Sequence, residues 1–203
     1  MRRHGFYNAS TMDDAPDDHL PPQERAARQL ITPGALVQLS LADAREVVTY
    51  MQPQRISGGT TIFHAGDATD GDDMLLVIDG DVTVENQASP TSEGLVVTVL
   101  GPGSLIGEMS LIDGSPRSAT CVAATDVSAG RLTRDALAQL MSEQPAVAAR
   151  LLLAISKRLS DHLREANRKI LALTQVSRAL QQELDAAHAI NRRLLEPKGP
   201  RVR

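Results

Sequence analysis

The stretch IGEMSLIDGSPRSAT, residues 106–120, gathers side chains that can do chemistry. Gly107 and Glu108 precede a short apolar run, a turn follows, and Arg117, Ser118 and Ala119 come directly after it. Glycine followed by Glu-x-x-Leu predicts the start of a short helix. The first N–H groups of such a helix lack partners within it and carry a partial positive charge suited to a phosphate. Gly107 lets a ligand approach the backbone closely. Glu108 can accept hydrogen bonds from hydroxyls but repels a phosphate, so it belongs on the sugar side of a ligand. Arg117 brings a permanent charge and a planar fork of donors that matches phosphate oxygens. Ser118 adds a hydroxyl and an N–H beside it. Together these groups describe a compact site for a sugar phosphate. Taken singly, each has a plainer role: Glu108 as a helix cap, Arg117 in a surface ion pair.

The elements that must hold this stretch are legible in the texture of the chain. From Ile56 to about Leu132, short apolar runs are broken by turn signals, as in TTIFHAGDATDGDD, MLLVIDGDVTVEN and LVVTVLGPGSLIG. Even spacing of this kind predicts an antiparallel barrel or jelly roll. Upstream, LSLADAREVVTYM has apolar residues at helical spacing behind Ser40 as a cap, and QERAARQLI predicts a short helix before Pro33 and Gly34. From Thr133 onward the pattern is helical, interrupted by Pro145, so one helix ends just before that residue and a longer one begins there. The expected fold class is α+β: an antiparallel jelly-roll barrel flanked by helices, with a long C-terminal coiled-coil helix. The expected organisation is a mostly disordered segment over 1–34, a binding domain over 35–162, a coiled-coil helix over 163–196 and a basic flexible tail over 197–203.

Composition excludes several functions. Phe6, Tyr7, Tyr50 and Phe63 are the only aromatics among 203 residues, so base stacking on aromatic platforms is poorly supplied. Cys121 is the single cysteine; it lies in the apolar run ATCVAA and reads as a buried structural thiol in a reducing cytoplasm. His4, His19, His64, His162 and His188 are scattered, and neither a metal cluster nor a nucleophile–base set emerges from their spacing. No enzyme, metal or cofactor is expected. No apolar run approaches the roughly 18 residues of a membrane span, and the first residues offer no signal-peptide core. Charge is divided: residues 35–150 carry nine more acids than bases, and residues 151–203 six more bases than acids. In so acidic a region, Arg117 is the group set to neutralise a single bound anion.

The run GEMSLIDGSPRSAT resembles the phosphate-binding cassette of cyclic nucleotide-binding domains, as found in bacterial catabolite-activator-type regulators and in regulatory subunits of cyclic-AMP-dependent protein kinase. Upstream, ISGGTTIFHAGDATD is similar to the family's early strands, with Gly66 and Asp67 at a turn, and MLLVIDGDVTV to its next hairpin, with Gly80 at the turn. The resemblance covers about residues 36–165. It implies a receptor for cyclic AMP, favoured over cyclic GMP. Glu108 would bind the ribose 2′-hydroxyl and Arg117 the cyclic phosphate. Gly107, the N–H groups near Met109 and Ser110, and Ser118 with Ala119 would complete the cradle. Arg158 would hold Glu108 from the C-terminal helix, with His162 and Leu163 near the base.

Beyond Leu163, residues Ala166, Ile170, Leu173, Ser177, Leu180, Leu184, Ala187, Asn191 and Leu194 recur at alternating steps of three and four. This heptad seam predicts a homodimeric coiled coil about 48 Å long, with Asn191 setting register. Val176 and Ile190 widen the apolar stripe. The tail NRRLLEPKGPRVR is basic but broken by Pro197, Gly199 and Pro200, and no helix-turn-helix is apparent, which argues against DNA contact. The expected partners are a cyclic nucleotide, a second copy and a protein effector that reads the dimer helix. Two alternatives stand beside this reading: a coiled-coil scaffold whose barrel does not respond to ligand, and a DNA-binding regulator of the same family.

Overall fold

The computed structural model describes residues 20–68, 72–86 and 95–195. The chain divides into two units, one ending at Ile155 and one beginning at Ser156.

The first unit opens with α1 (Pro22–Leu30) and α2 (Leu41–Thr49). Pro22 stands in the first turn of α1, where its missing N–H costs nothing. The buried face of α1 is Ala26, Ala27 and Leu30, so packed structure already begins inside the segment set apart as residues 1–34. Residues 1–19 and the basic tail lie outside the described residues. Ser40 caps α2 as expected, its hydroxyl accepting from the Asp43 N–H at 3.1 Å.

Eight strands follow: β1 (Gln52–Ile56), β2 (Thr61–Phe63), β3 (Asp73–Asp79), β4 (Val82–Asn86), β5 (Leu95–Leu100), β6 (Leu105–Ile106), β7 (Thr120–Ala123) and β8 (Val127–Thr133). They form two antiparallel four-stranded sheets in the orders β1-β8-β3-β6 and β2-β7-β4-β5. The jelly-roll expectation is met. One detail differs. β3 and β4 lie in different sheets, so the Gly80 turn between them does not close a hairpin. It carries the chain across the barrel corner, with Gly80 at φ +85° and so close to Asp126 that an added Cβ would sit 2.2 Å from its carbonyl oxygen.

The barrel core contains Leu75, Val77, Ile106, Cys121 and Val127. Strand alternation sends Met74 and Leu76 to the opposite face of β3, and both are fully buried. α1 packs on β3, which is why the run MLLV is apolar without alternation.

Between β6 and β7 stands α3 (Glu108–Asp113), and β8 leads into α4 (Arg134–Glu143) and α5 (Pro145–Leu195). The break at Pro145 falls where the proline predicts it. Leu151 and Ile155 of α5 are fully buried in the first unit. The second unit is helical through Leu195, and its apolar residues Leu163, Ile170, Leu173, Val176, Leu180, Leu184 and Ile190 are all exposed in the single chain.

Asp43 ties α2 to α5. Arg150 grips its carboxylate in bidentate fashion, Nε to Oδ2 at 2.9 Å and Nη2 to Oδ1 at 2.6 Å, and the Ser40 hydroxyl donates to Oδ2 at 2.8 Å. The Arg150 hydrogen bonds hold the Asp43 carboxyl below the ordinary aspartate range, against the upward push of burial. A carboxylate depressed in the folded state adds stability above its unfolded pKa, and that stability is lost as pH falls through the lower folded value. The thermal midpoint of the wild type should therefore drop as pH is lowered from about 6 to about 2. Asp43→Asn should start lower and fall less steeply, as thermal unfolding followed by circular dichroism will show.

Candidate functional site

The sequence-predicted stretch is built around two glycines. β6 ends at Ile106, and Gly107 turns the chain into α3 with φ +81°. A Cβ on Gly107 would lie 2.4 Å from Arg117 Nη1 and 2.8 Å from the Asp73 carbonyl oxygen, so only glycine lets the arginine lie this close. Gly114, at φ +68°, ends α3. The Asp113 carboxylate accepts from the Ser115 N–H at 2.9 Å and turns the chain toward Arg117; that N–H keeps its pKa below the ordinary aspartate value.

Arg117 is fixed at both backbone and side chain. Its N–H donates to the Asp67 carbonyl at 3.0 Å, and its carbonyl accepts from the Gly66 N–H at 2.8 Å. The Gly66–Asp67 turn thus clamps the arginine's own peptide groups. The residue is 5% exposed and its guanidinium carbon lies 3.6 Å from the centre of the Phe63 ring, a cation–π stack. Nη1 donates to the Asp73 carbonyl at 2.7 Å and to the Gly107 carbonyl at 3.3 Å. Nη2 donates to the Asp73 carboxylate at Oδ1. The second oxygen of Asp73 accepts from Arg131 Nε.

These contacts use both Nη1 hydrogens and one on Nη2. Nε is buried and has no hydrogen-bond partner among the described residues. The guanidinium carries five donors in a rigid fork. Asp73 and two backbone carbonyls take one edge, and the Nε edge is left for another acceptor. A buried donor without a partner costs about 1–3 kcal/mol, so this edge favours a ligand that brings oxygens to it. The local charge agrees: one buried carboxylate is shared by two guanidinium groups.

The remaining predicted residues gather on either side. Glu108 and Ser110 are buried in the first turn of α3, and Met109 is exposed between them. Their N–H groups open the helix and have no partners within it. Ser118 is exposed and Ala119 half-buried. Arg158, His162 and Leu163 lie on α5 in the second unit, Arg158 half-buried and the other two exposed. Burial pushes the Cys121 thiol up to about 11, so it is protonated and inert at neutral pH. No group of histidine, cysteine and acidic side chains that could hold a metal occurs among the described residues, nor does a helix long and apolar enough to cross a membrane.

Sequence reasoning missed Asp73, Phe63 and Arg131. It left Arg117 to face an anion alone, whereas the arginine is already ion-paired inside the barrel. The only signal for Asp73 is an acid directly before the apolar run MLLVI, where burial demands a cationic partner.

Comparison with known proteins agrees with this geometry. A family model described as the cyclic nucleotide-binding domain matches residues 53–144. A CRP-like cAMP-activated global transcriptional regulator of Mycobacterium tuberculosis is 32% identical over 109 residues, covering 54% of this chain and 47% of that protein. A cyclic nucleotide-gated potassium channel of Rhizobium etli is 36% identical over 121 residues, covering 59% of this chain and 32% of the channel. The chain spans less than half the length of these two relatives. The crystal structure of a cyclic nucleotide-binding domain from Methylobacillus flagellatus superposes with a TM-score of 0.62 at 32% identity, covering 73% of this chain and 82% of that one.

Gly107→Ala tests the close packing of the site. The new methyl group meets Nη1, and an alanine at positive φ is itself strained. Chemical denaturation should show a loss of about 1–3 kcal/mol; an unchanged midpoint would mean that the arginine does not lie against this glycine.

Proposed function

This chain belongs to the cyclic nucleotide-binding domain family, and from that premise we propose that it is a cytoplasmic receptor for a cyclic nucleotide, cyclic AMP in preference to cyclic GMP. The observation that carries the proposal is the buried Nε of Arg117, a donor with no hydrogen-bond partner among the described residues, on an arginine whose other edge is held by Asp73. The ligand's cyclic phosphate carries one negative charge and presents two exocyclic oxygens, a match for this edge. The N–H groups of Met109 and Ser110, at the start of α3, close around the phosphate with Ser118 and Ala119, and Gly107 gives the ligand room. Glu108 accepts from the ribose 2′-hydroxyl. The preference for cyclic AMP draws on the M. tuberculosis relative, whose name describes it as cAMP-activated.

The second unit supplies the output. Its exposed seam of Ile170, Leu173, Leu180 and Leu184 pairs with a second copy in a coiled coil. A protein effector reads the change in that dimer. Ligand drives the change by binding one geometry of the helix more tightly than the other.

Titration calorimetry with cyclic AMP and cyclic GMP, on wild type and Arg117→Ala, tests the proposal. The variant should fold, because Arg131 still neutralises Asp73. It should lose about 2–5 kcal/mol of binding, tens to thousands of fold in affinity. Folded wild type that binds neither nucleotide would refute the receptor reading.

A further inference from the structure

Arg134 occupies a position its own helix disfavours. It is the first residue of α4, where the helix dipole is positive, and Thr133 already caps that helix by accepting from the Ala136 N–H at 3.2 Å. The side chain serves a different helix. Nη2 donates to the Ser110 carbonyl at 2.9 Å and to the Leu111 carbonyl at 3.3 Å, in the last turn of α3, where the Ser110 carbonyl also accepts from the Gly114 N–H at 2.9 Å. There its charge complements the negative end of a helix. Gly114 makes room: a Cβ at that position would lie 3.0 Å from Nη2 and 3.2 Å from Nη1. Asp72 holds the arginine in place twice, with its carboxylate 3.2 Å from Nε and its carbonyl accepting the Arg134 N–H at 2.8 Å.

Adjacent aspartates thus anchor the two ends of the cassette. Asp73 holds Arg117 and Asp72 holds Arg134, which holds the end of α3. Arg134 is also the first residue of α4, and α4 runs into α5 across Gln144 with little slack. The Gln144 N–H donates to the Leu140 carbonyl at 2.8 Å, and the Ala148 N–H donates to the Gln144 carbonyl at 3.0 Å. We propose that Arg134 is the positioning residue through which α3 is coupled to α4 and the first turns of α5, so that a movement of α3 at the ligand is delivered to those helices. The ligand in this statement rests on the cyclic-nucleotide reading; the coupling between the helices does not.

Hydrogen exchange of the full chain, read by mass spectrometry at the first turn of α4, tests it in two arms. In the first, no ligand is added and α3 is loosened by Ile112→Gly, at an exposed position. Exchange over residues 134–137 should quicken about threefold or more in the wild-type background. It should not quicken further when Ile112→Gly is added to Arg134→Gln. In the second, saturating cyclic AMP should slow the same amides in wild type. Arg134→Gln should bind cyclic AMP within about tenfold of wild type yet lose that slowing. Arg134→Lys, which keeps the charge but not the fork, should behave like the glutamine variant. Equal responses in the Arg134→Gln and wild-type backgrounds in the first arm, or equal slowing by bound nucleotide in the second, would overturn the proposal. Coupling in the first arm from a wild type that binds no cyclic nucleotide would support Arg134 as the link and remove only the ligand.

Discussion

A single buried carboxylate organises the site. Asp73 is 4% exposed, and a charge so placed must be paired and hydrogen-bonded to be tolerated. Two arginines meet it, Arg117 from within the barrel and Arg131 from the neighbouring strand β8. Asp73 holds Arg117 through Nη1 and Nη2 while the guanidinium stacks on Phe63, and Nε has no hydrogen-bond partner among the described residues. The glycine at 107 follows from that constraint, since any side chain there would displace the arginine. The turn at Gly66 and Asp67 serves the same end from the backbone side.

The scaffold explains how Asp73 can be so firmly placed. It is the first residue of β3, a strand paired on both edges, with β8 and with β6, and buried on both faces. Its backbone is therefore fixed by ladder hydrogen bonds and its neighbours by close packing. Asp72, one residue earlier, is half out of the sheet and binds Arg134 at the surface. The start of one strand thus sets both the arginine at the end of the cassette and the last turn of α3. A site preorganised in this way loses little on binding, since the groups it offers are already ordered.

Much of this was legible in the sequence where the determinants are local. The Ser40 cap, the break at Pro145, the short helix after Gly107 and the alternation of strand and turn all depend on neighbouring residues, and all appear as expected. What escaped is non-local. Asp73 meets Arg117 and Arg131 across 44 and 58 residues, and no spacing rule reports such a meeting. Asp79 and Gly80 signal a turn, but the same residues serve a hairpin or a passage between sheets; pairing partners elsewhere decide which. Arg134 misleads in isolation, because its charge suits the end of a helix far from it in the chain.

The most direct measurement is the side-chain Nε–H resonance of Arg117 in a 15N correlation spectrum, followed as cyclic AMP is added. If the Nε edge receives the phosphate, that signal should move downfield and its exchange with water should slow, saturating together with the backbone shifts of Gly107 and Met109. An Arg117 Nε–H signal that stays in place while the protein saturates with nucleotide would contradict the claim that Asp73 holds this edge ready for the ligand.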